Sequence, residues 1–368
     1  MRRDLFTNLP EELTIDILGR LPSEIIMNCK LVCKSWLDLI EGGKFVTSYT
    51  PKPCLGFTSE HMYTVYEDDA SEPLFQISLN PPHVDCGYNS RCRVLIDSAD
   101  GLLFVRDSDK NLFVVNPMTR DYVRLPPPST TCRPCIFGFG VSKISRQYKI
   151  LCGLEDSGSC HVYTLGGGGG GSWRSISAPS SPAGRIRPIT LCDVAAFFNG
   201  NLHWTSKEEY WSICCFDLKT ELFTVFFPPP LASNLEMHHE YRLCTLEGQL
   251  CLCECKGSGN IDIWRMNSYG DDNSWERAYT FDLKQRIAPI FGGLIFPLKV
   301  LDNGDLWFTV DRSLLYIYSI NTESAVLHNP PQCSSRFNSD ITTYTPSFLS
   351  LNAMGIPNVQ SLRLRPRP

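Results

Sequence analysis

The sequence predicts a small three-helix module at the N-terminus followed by an all-β propeller. Three observations carry that reading. Only residues 5–41 show a helical spacing of apolar residues. From about residue 100 onward, two strand-and-turn motifs recur at a period near 50, the scale of a propeller blade. And 26 glycines and 26 prolines among 368 residues punctuate the chain more often than long helices allow. Hydrophobic residues at 43% and charged residues at 20% provide for a packed core.

The helical elements come first. Pro10 suits a helix's first turn, where its missing N–H costs nothing, and Glu11 and Glu12 follow near the positive end of the dipole. Pro22 stops this helix. Ser23 caps a second one, ending near Cys29. A third runs from about Leu31 to Ile40, with Gly42 and Gly43 as its stop. The apolar pattern is wider than such a module can use. In the first helix Leu9, Leu13, Ile17 and Leu21 form one row, and Ile15 and Leu18 another. In the third, Val32, Trp36 and Leu39 form one row, and Cys33, Leu37 and Ile40 another. A unit of about 40 residues cannot enclose two apolar faces per helix. The second faces therefore either pack on the rest of the chain or form a patch for another protein.

The repeating elements follow. A turn leading into an aliphatic strand appears at Asp100-Gly101-Leu102, Asn199-Gly200-Asn201-Leu202, Glu247-Gly248-Gln249-Leu250 and Asn303-Gly304-Asp305-Leu306. A strand-turn-strand motif begins at Leu112, Cys160, Ile213, Ile261 and Leu315, in steps of 48 to 54 residues. Asx-Gly between alternating apolar runs is a hairpin signal, because both turn residues accept positive φ. Each unit supplies about four short strands, and a four-stranded sheet must pack on neighbours to bury both faces. Five units are clear. A sixth, assembled from strands near Cys54–Tyr66 and Pro73–Leu79 with the C-terminal Tyr344–Leu349, gives six blades, with five and seven as alternatives.

Particular strings add a resemblance. Leu9-Pro10-Glu11-Glu12-Leu13, Ile17-Leu18, Arg20-Leu21-Pro22 and Val32-Cys33-Lys34-Ser35-Trp36 resemble the F-box in order and spacing. Asp97–Leu103, Asn116–Arg120, Phe137-Gly138-Phe139-Gly140, Tyr148–Leu151, Asn199–Trp204 and Phe216-Asp217 resemble the F-box-associated, kelch-like propeller domain of plant F-box proteins. The likeness covers nearly the whole chain. It departs at Cys29-Lys30, where the family more often carries Arg, at the six glycines Gly166–Gly171, and at the loosely patterned Leu231–Tyr241. The resemblance implies docking on a Skp-type adaptor, and through it on a cullin–RING ubiquitin ligase. It places Leu9, Pro10, Leu13, Ile17, Leu18, Val32, Cys33 and Trp36 at or beside the adaptor contact. It also implies that the propeller recruits a target protein for ubiquitination and degradation. The alternatives are an F-box scaffold outside a ligase, and a ligand-binding propeller enzyme, since one fold hosts many functions.

Other chemistry finds little support. A net charge of −5 argues against general nucleic-acid binding, which needs a basic footprint. No run approaches about 18 apolar residues, so no membrane span is expected. The first residues carry no apolar signal core, so a cytosolic or nuclear location with reduced thiols is expected. The 17 cysteines then read as packing residues. Cys132-Arg133-Pro134-Cys135 has no second such pair to complete a zinc site, and Cys251, Cys253 and Cys255 share one strand face. The Gly166–Gly171 run lacks the Lys-Ser/Thr of a phosphate loop. No nucleophile elbow, zinc helix or paired carboxylates appear, so a non-catalytic receptor without metal or cofactor is expected. His238, His239 and Tyr210 are candidates for the target-binding rim, on polar loops that carry specificity in such folds. The expected boundaries are 1–45 for the F-box, 46–53 for a linker, 54–355 for the propeller and 356–368 for a disordered tail.

Overall fold

A computed structural model describes residues 9–59, 62–67, 72–79, 94–107, 109–128, 134–154, 159–166, 171–177, 195–207, 211–229, 240–256, 260–282, 295–328 and 339–362. Four short helices open the chain: α1 (Glu11–Gly19), α2 (Ser23–Cys29), α3 (Lys34–Ile40) and α4 (Gly43–Ser48). Strands β1 (Cys54–Ser59), β2 (Met62–Tyr66) and β3 (Phe75–Ser78) follow, then β4 (Val94–Ala99), β5 (Leu102–Arg106), β6 (Leu112–Asn116) and β7 (Asp121–Leu125). Next come β8 (Pro134–Val141), β9 (Tyr148–Leu154), β10 (Cys160–Thr164) and β11 (Arg174–Ile176), then β12 (Ala196–Phe198), β13 (Asn201–Lys207), β14 (Trp211–Asp217) and β15 (Phe223–Phe226). The last repeats are β16 (Glu240–Leu246), β17 (Gln249–Cys255), β18 (Asn260–Met266) and β19 (Trp275–Asp282), and β20 (Ile295–Val300), β21 (Leu306–Val310), β22 (Leu314–Ser319) and β23 (Ser324–His328). β24 (Ser339–Tyr344) and β25 (Gln360–Ser361) end the series.

The strands form six antiparallel sheets, the blades of a six-bladed β-propeller. Four blades pair consecutive strands only, the second has the order β25-β7-β6-β5-β4, and the first has the order β24-β1-β2-β3. The C-terminal contribution to that blade is thus Ser339–Tyr344, not the expected Tyr344–Leu349. Pro346 has no N–H to donate to a ladder, so pairing stops before it. The helical module also differs from expectation. Gly42 is extended (φ −73°, ψ 147°) and starts α4 rather than only ending α3, and α4 turns Phe45 fully inward. Helix α4 therefore runs into the span 46–53 that had been expected as linker.

The turn chemistry explains why the blades close up where they do. Asp100-Gly101, Asn199-Gly200 and Glu247-Gly248 hold both residues at positive φ, as the hairpin register requires. The outer hairpins share a second device. Arg120, Glu221 and Glu323, each following a threonine, adopt positive φ at equivalent places. Asn116 Oδ1 accepts from the Met118 and Thr119 amides, and Asp217 Oδ1 from those of Lys219 and Thr220, so an Asx turn nucleates the first two of these bends.

The chain divides into two compact units, residues 1–125 with 344–368, and residues 126–343. In the first, one core unites the helices with two blades. Leu18, Ile26, Ile40 and Phe45 join Tyr63, Val65, Leu103, Val115, Phe348 and Leu362, all nearly inaccessible. In the second unit the blades pack through aromatic and aliphatic faces, such as Phe198 on Tyr269 (centroids 5.4 Å) and Phe281 on Tyr318 (4.8 Å). Blade-to-blade hydrogen bonds repeat there as well. Trp173 Nε1 donates to Pro126 O (2.8 Å) and Trp275 Nε1 to Phe227 O (3.1 Å), so a tryptophan of one repeat pins the proline-rich connector of the previous one. Lys149 and Arg174 both reach Glu221 of the next blade, at 2.8 and 2.7 Å.

Candidate docking surface

Helix α1 is the clearest case of an element with two apolar faces. Pro10 O accepts from the Thr14 amide (3.1 Å) and hydroxyl (3.2 Å), which fixes the first turn. Thr14 and Leu18, four residues apart, are buried, and Ile15 packs against the same core. Leu13 and Ile17, also four apart, face away and are 51% and 45% exposed. On α2, Ile26 is fully buried while its neighbour Ile25 is 43% exposed. Adjacent helical residues point about 100° apart, so both cannot enter one core. The turn into α3 leaves Leu31 (85%) and Val32 (64%) in solvent, with Cys33 exposed and its Sγ 3.1 Å from Ser35 Oγ.

These five aliphatic chains are all of the exposed large apolar side chains among the described residues of this unit. All five lie within the twenty residues from Leu13 to Val32. The module beneath is well tied. Ser23 Oγ and Tyr49 Oη lie 2.8 Å apart, and Lys30 pairs with Glu41 at 2.6 Å. Lys30, where the resembling family more often has Arg, is thus occupied in a largely buried ion pair.

Of the eight residues expected at the adaptor contact, Pro10, Leu13, Ile17, Val32 and Cys33 are exposed. Leu9 is half-buried, and Trp36 is half-buried against the core. Leu18 is only 2% exposed and belongs to the core, so it supports the surface from behind. Ile25 and Leu31 were not anticipated. Their signal was present, since each is an apolar residue outside the rows that fill the core. His238, His239 and Tyr210 lie outside the described residues, as do Cys132 and the side chain of Cys135.

Cys54, Cys152, Cys160, Cys214, Cys215, Cys251 and Cys253 are buried in strands. Among the described residues no group of three or more His, Cys, Asp or Glu is placed to hold a metal ion. Burial pushes the Cys251 thiol up to about 11 and that of Cys214 up to about 12. Protonated, enclosed thiols are neither nucleophiles nor ligands. The loop Ser268–Ser274 turns Tyr269 inward. Its hydroxyl accepts from Asn201 Nδ2 (2.7 Å) and lies 2.8 Å from His203 Nε2, while His203 Nδ1 lies 3.0 Å from the Ala196 carbonyl. No helix among the described residues is long and apolar enough to cross a membrane.

Comparison with known proteins bears on the whole chain. Residues 6–45 match the F-box-like family model, and residues 55–324 match the F-box associated beta propeller domain. The F-box/LRR-repeat/kelch-repeat protein At1g09650 of Arabidopsis thaliana is 27% identical over 365 residues, covering 88% of this chain and 90% of that protein. The Arabidopsis F-box/kelch-repeat protein At3g23880 is 26% identical over 384 residues, covering 95% and 98%.

Proposed function

Since the chain belongs to the plant F-box proteins with an F-box associated β-propeller domain, we propose that it is a substrate receptor of a Skp–cullin–F-box ubiquitin ligase. The observation that carries this reading is the set of aliphatic side chains left in solvent on the helical module. Leu13, Ile17 and Val32, with Pro10 and Cys33 beside them, are the residues that meet the Skp-type adaptor. Ile25 and Leu31 are two further exposed aliphatic side chains of the same module. The propeller holds a target protein through its loops. The receptor itself makes and breaks no bonds. It raises the effective concentration of a target lysine near the ubiquitin-charged partner, which converts a bimolecular encounter into a local one.

Adaptor capture tests this directly. Wild-type protein is expected to co-purify with a Skp-type adaptor. A double variant Ile17→Glu/Val32→Glu is expected to lose that capture, because it puts two charges into an apolar contact worth about 1–3 kcal/mol per side chain. Both positions are solvent-exposed, so the variant's thermal melt should stay close to wild type. Failure of the wild-type protein to bind any Skp-type adaptor would sink the ligase reading. A bound complex that supports no ubiquitin transfer in a reconstituted ligase would instead favour a scaffold.

A further inference from the structure

Residues 344–362 run as a strap over three parts of the first unit. Tyr344 is buried in the first blade, its ring edge-on to Tyr63 (5.8 Å) and Phe75 (6.1 Å), and its hydroxyl donates to Gly101 O (3.2 Å). The chain then leaves the ladder. Tyr344, Pro346, Phe348 and Ser350 are buried, while Thr345, Ser347 and Leu349 are half-buried. Phe348, 1% exposed, meets two aromatic rings of the α4 region, Phe45 (6.1 Å) and Tyr49 (5.6 Å), which stack on each other at 5.5 Å.

No ladder holds this stretch; one side chain of the second blade does. Asn116, wholly buried, donates from Nδ2 to Ser347 O (3.1 Å) and Leu349 O (2.6 Å), and its Oδ1 is taken by the Met118 and Thr119 amides. Every hydrogen-bonding site of the amide is used, so strap and hairpin share one anchor. Gly101 closes the approach from the other side, since a Cβ there would come within 2.1 Å of Ser347 Cβ. Further on, Ser350 Oγ donates to Asp121 Oδ2 (3.3 Å), and β25 pairs with β7, making the second blade five-stranded. Leu362 ends the strap in the shared core.

We propose that this strap sets the orientation of the docking helices on the first two blades, and that Phe348 is a positioning residue for target presentation. The proposal deepens the receptor reading and rests on it. An adaptor-bound ligase presents ubiquitin from one direction, so the angle between the helices and the blades decides which lysines come within reach. Phe348 is the only described residue of the strap with ring contacts to α4, and the blade holds it by the backbone on both sides.

The test uses full-length protein with Phe348→Ala and Phe348→Leu. Hydrogen exchange in the free protein should show the Gly43–Ser48 amides exchanging at least about tenfold faster in Phe348→Ala, with β5 and β6 changed less than about twofold. Phe348→Leu should restore most of that protection. It also carries the comparison if the alanine variant does not fold. In a reconstituted ligase at equal adaptor occupancy, the set of self-ubiquitinated lysines should broaden in Phe348→Ala and narrow again in Phe348→Leu. Unchanged α4 protection in a folded variant overturns the strap. Lost protection with an unchanged lysine set overturns the positioning role and leaves Phe348 merely structural. If wild-type protein binds no adaptor, the receptor reading and the positioning role fail together, while the exchange measurement still decides whether the strap anchors α4.

Discussion

His203 shows how much a single buried side chain can hold. A carbonyl can only accept, so Nδ1 carries the proton toward Ala196 O and Nε2 accepts from the Tyr269 hydroxyl. Burial pushes its pKa down to about 4, partly opposed by the Ala196 carbonyl. An unfolded chain binds that proton near pH 6.5, so stability contributed by the neutral ring is complete above 6.5 and lost as pH falls toward 4. The loss should reach roughly 3 kcal/mol. Denaturant midpoints measured from pH 7 to pH 4 should show that slope in wild type, and His203→Gln, which cannot titrate, should flatten it. Glu221 acts in the same direction at lower pH. Burial would raise its pKa, but the hydrogen bonds and charges of Arg174 and Lys149 outweigh that and hold it below the usual carboxylate range. None of this partnering was visible in the sequence, where His203 reads as one more residue of an alternating strand.

Elements were far more legible than partners. The repeated Asx-Gly turns and period-two strands predicted the blades because both follow from local backbone geometry. Two glycines separate the local cause from the tertiary one. Gly248 has φ +70° and open space around it, whereas Gly101 has φ +86° and the strap against it. Gly248→Ala should cost about 1–2 kcal/mol of backbone strain. Gly101→Ala should cost at least about 2 kcal/mol more, since the strap must move, and thermal melts of the pair measure the difference. The tryptophan latches are a case that sequence could have yielded. Trp173 and Trp275 follow their connectors at nearly the repeat period, which the aromatic alternation masked. Trp173→Phe and Trp275→Phe should each cost about 1 kcal/mol and add in the double variant, being in different blades, as calorimetry would show. The strap was not legible, because an irregular segment held by scattered contacts, those of Asn116 among them, has no period to detect. The choice between the two faces of α1 was not legible either, since both rows are aliphatic and only the packing of Leu18 decides it.

The whole molecule changes what the helical module is. The resemblance suggested a docking unit followed by a linker, whereas Leu18, Ile26, Ile40 and Phe45 complete a core that belongs equally to two blades. Burying four such side chains contributes about 1.5–3 kcal/mol each as an upper bound. Residues 1–50 expressed alone lose that contribution and fall below the size at which a core sustains itself. Far-UV circular dichroism of this fragment should show little helix and no cooperative melt; a sharp two-state melt would contradict the shared core. The strap adds a temporal side to this dependence. Tyr344, Phe348 and Leu362 are made nearly three hundred residues after the last of the helices. At about 5–20 residues per second, the first helices wait on the order of 15–60 seconds for their last core partners. Throughout that interval their apolar faces are open to chaperones and to degradation, so synthesis of this chain is a race in which residues 344–362 must arrive before the helices are captured.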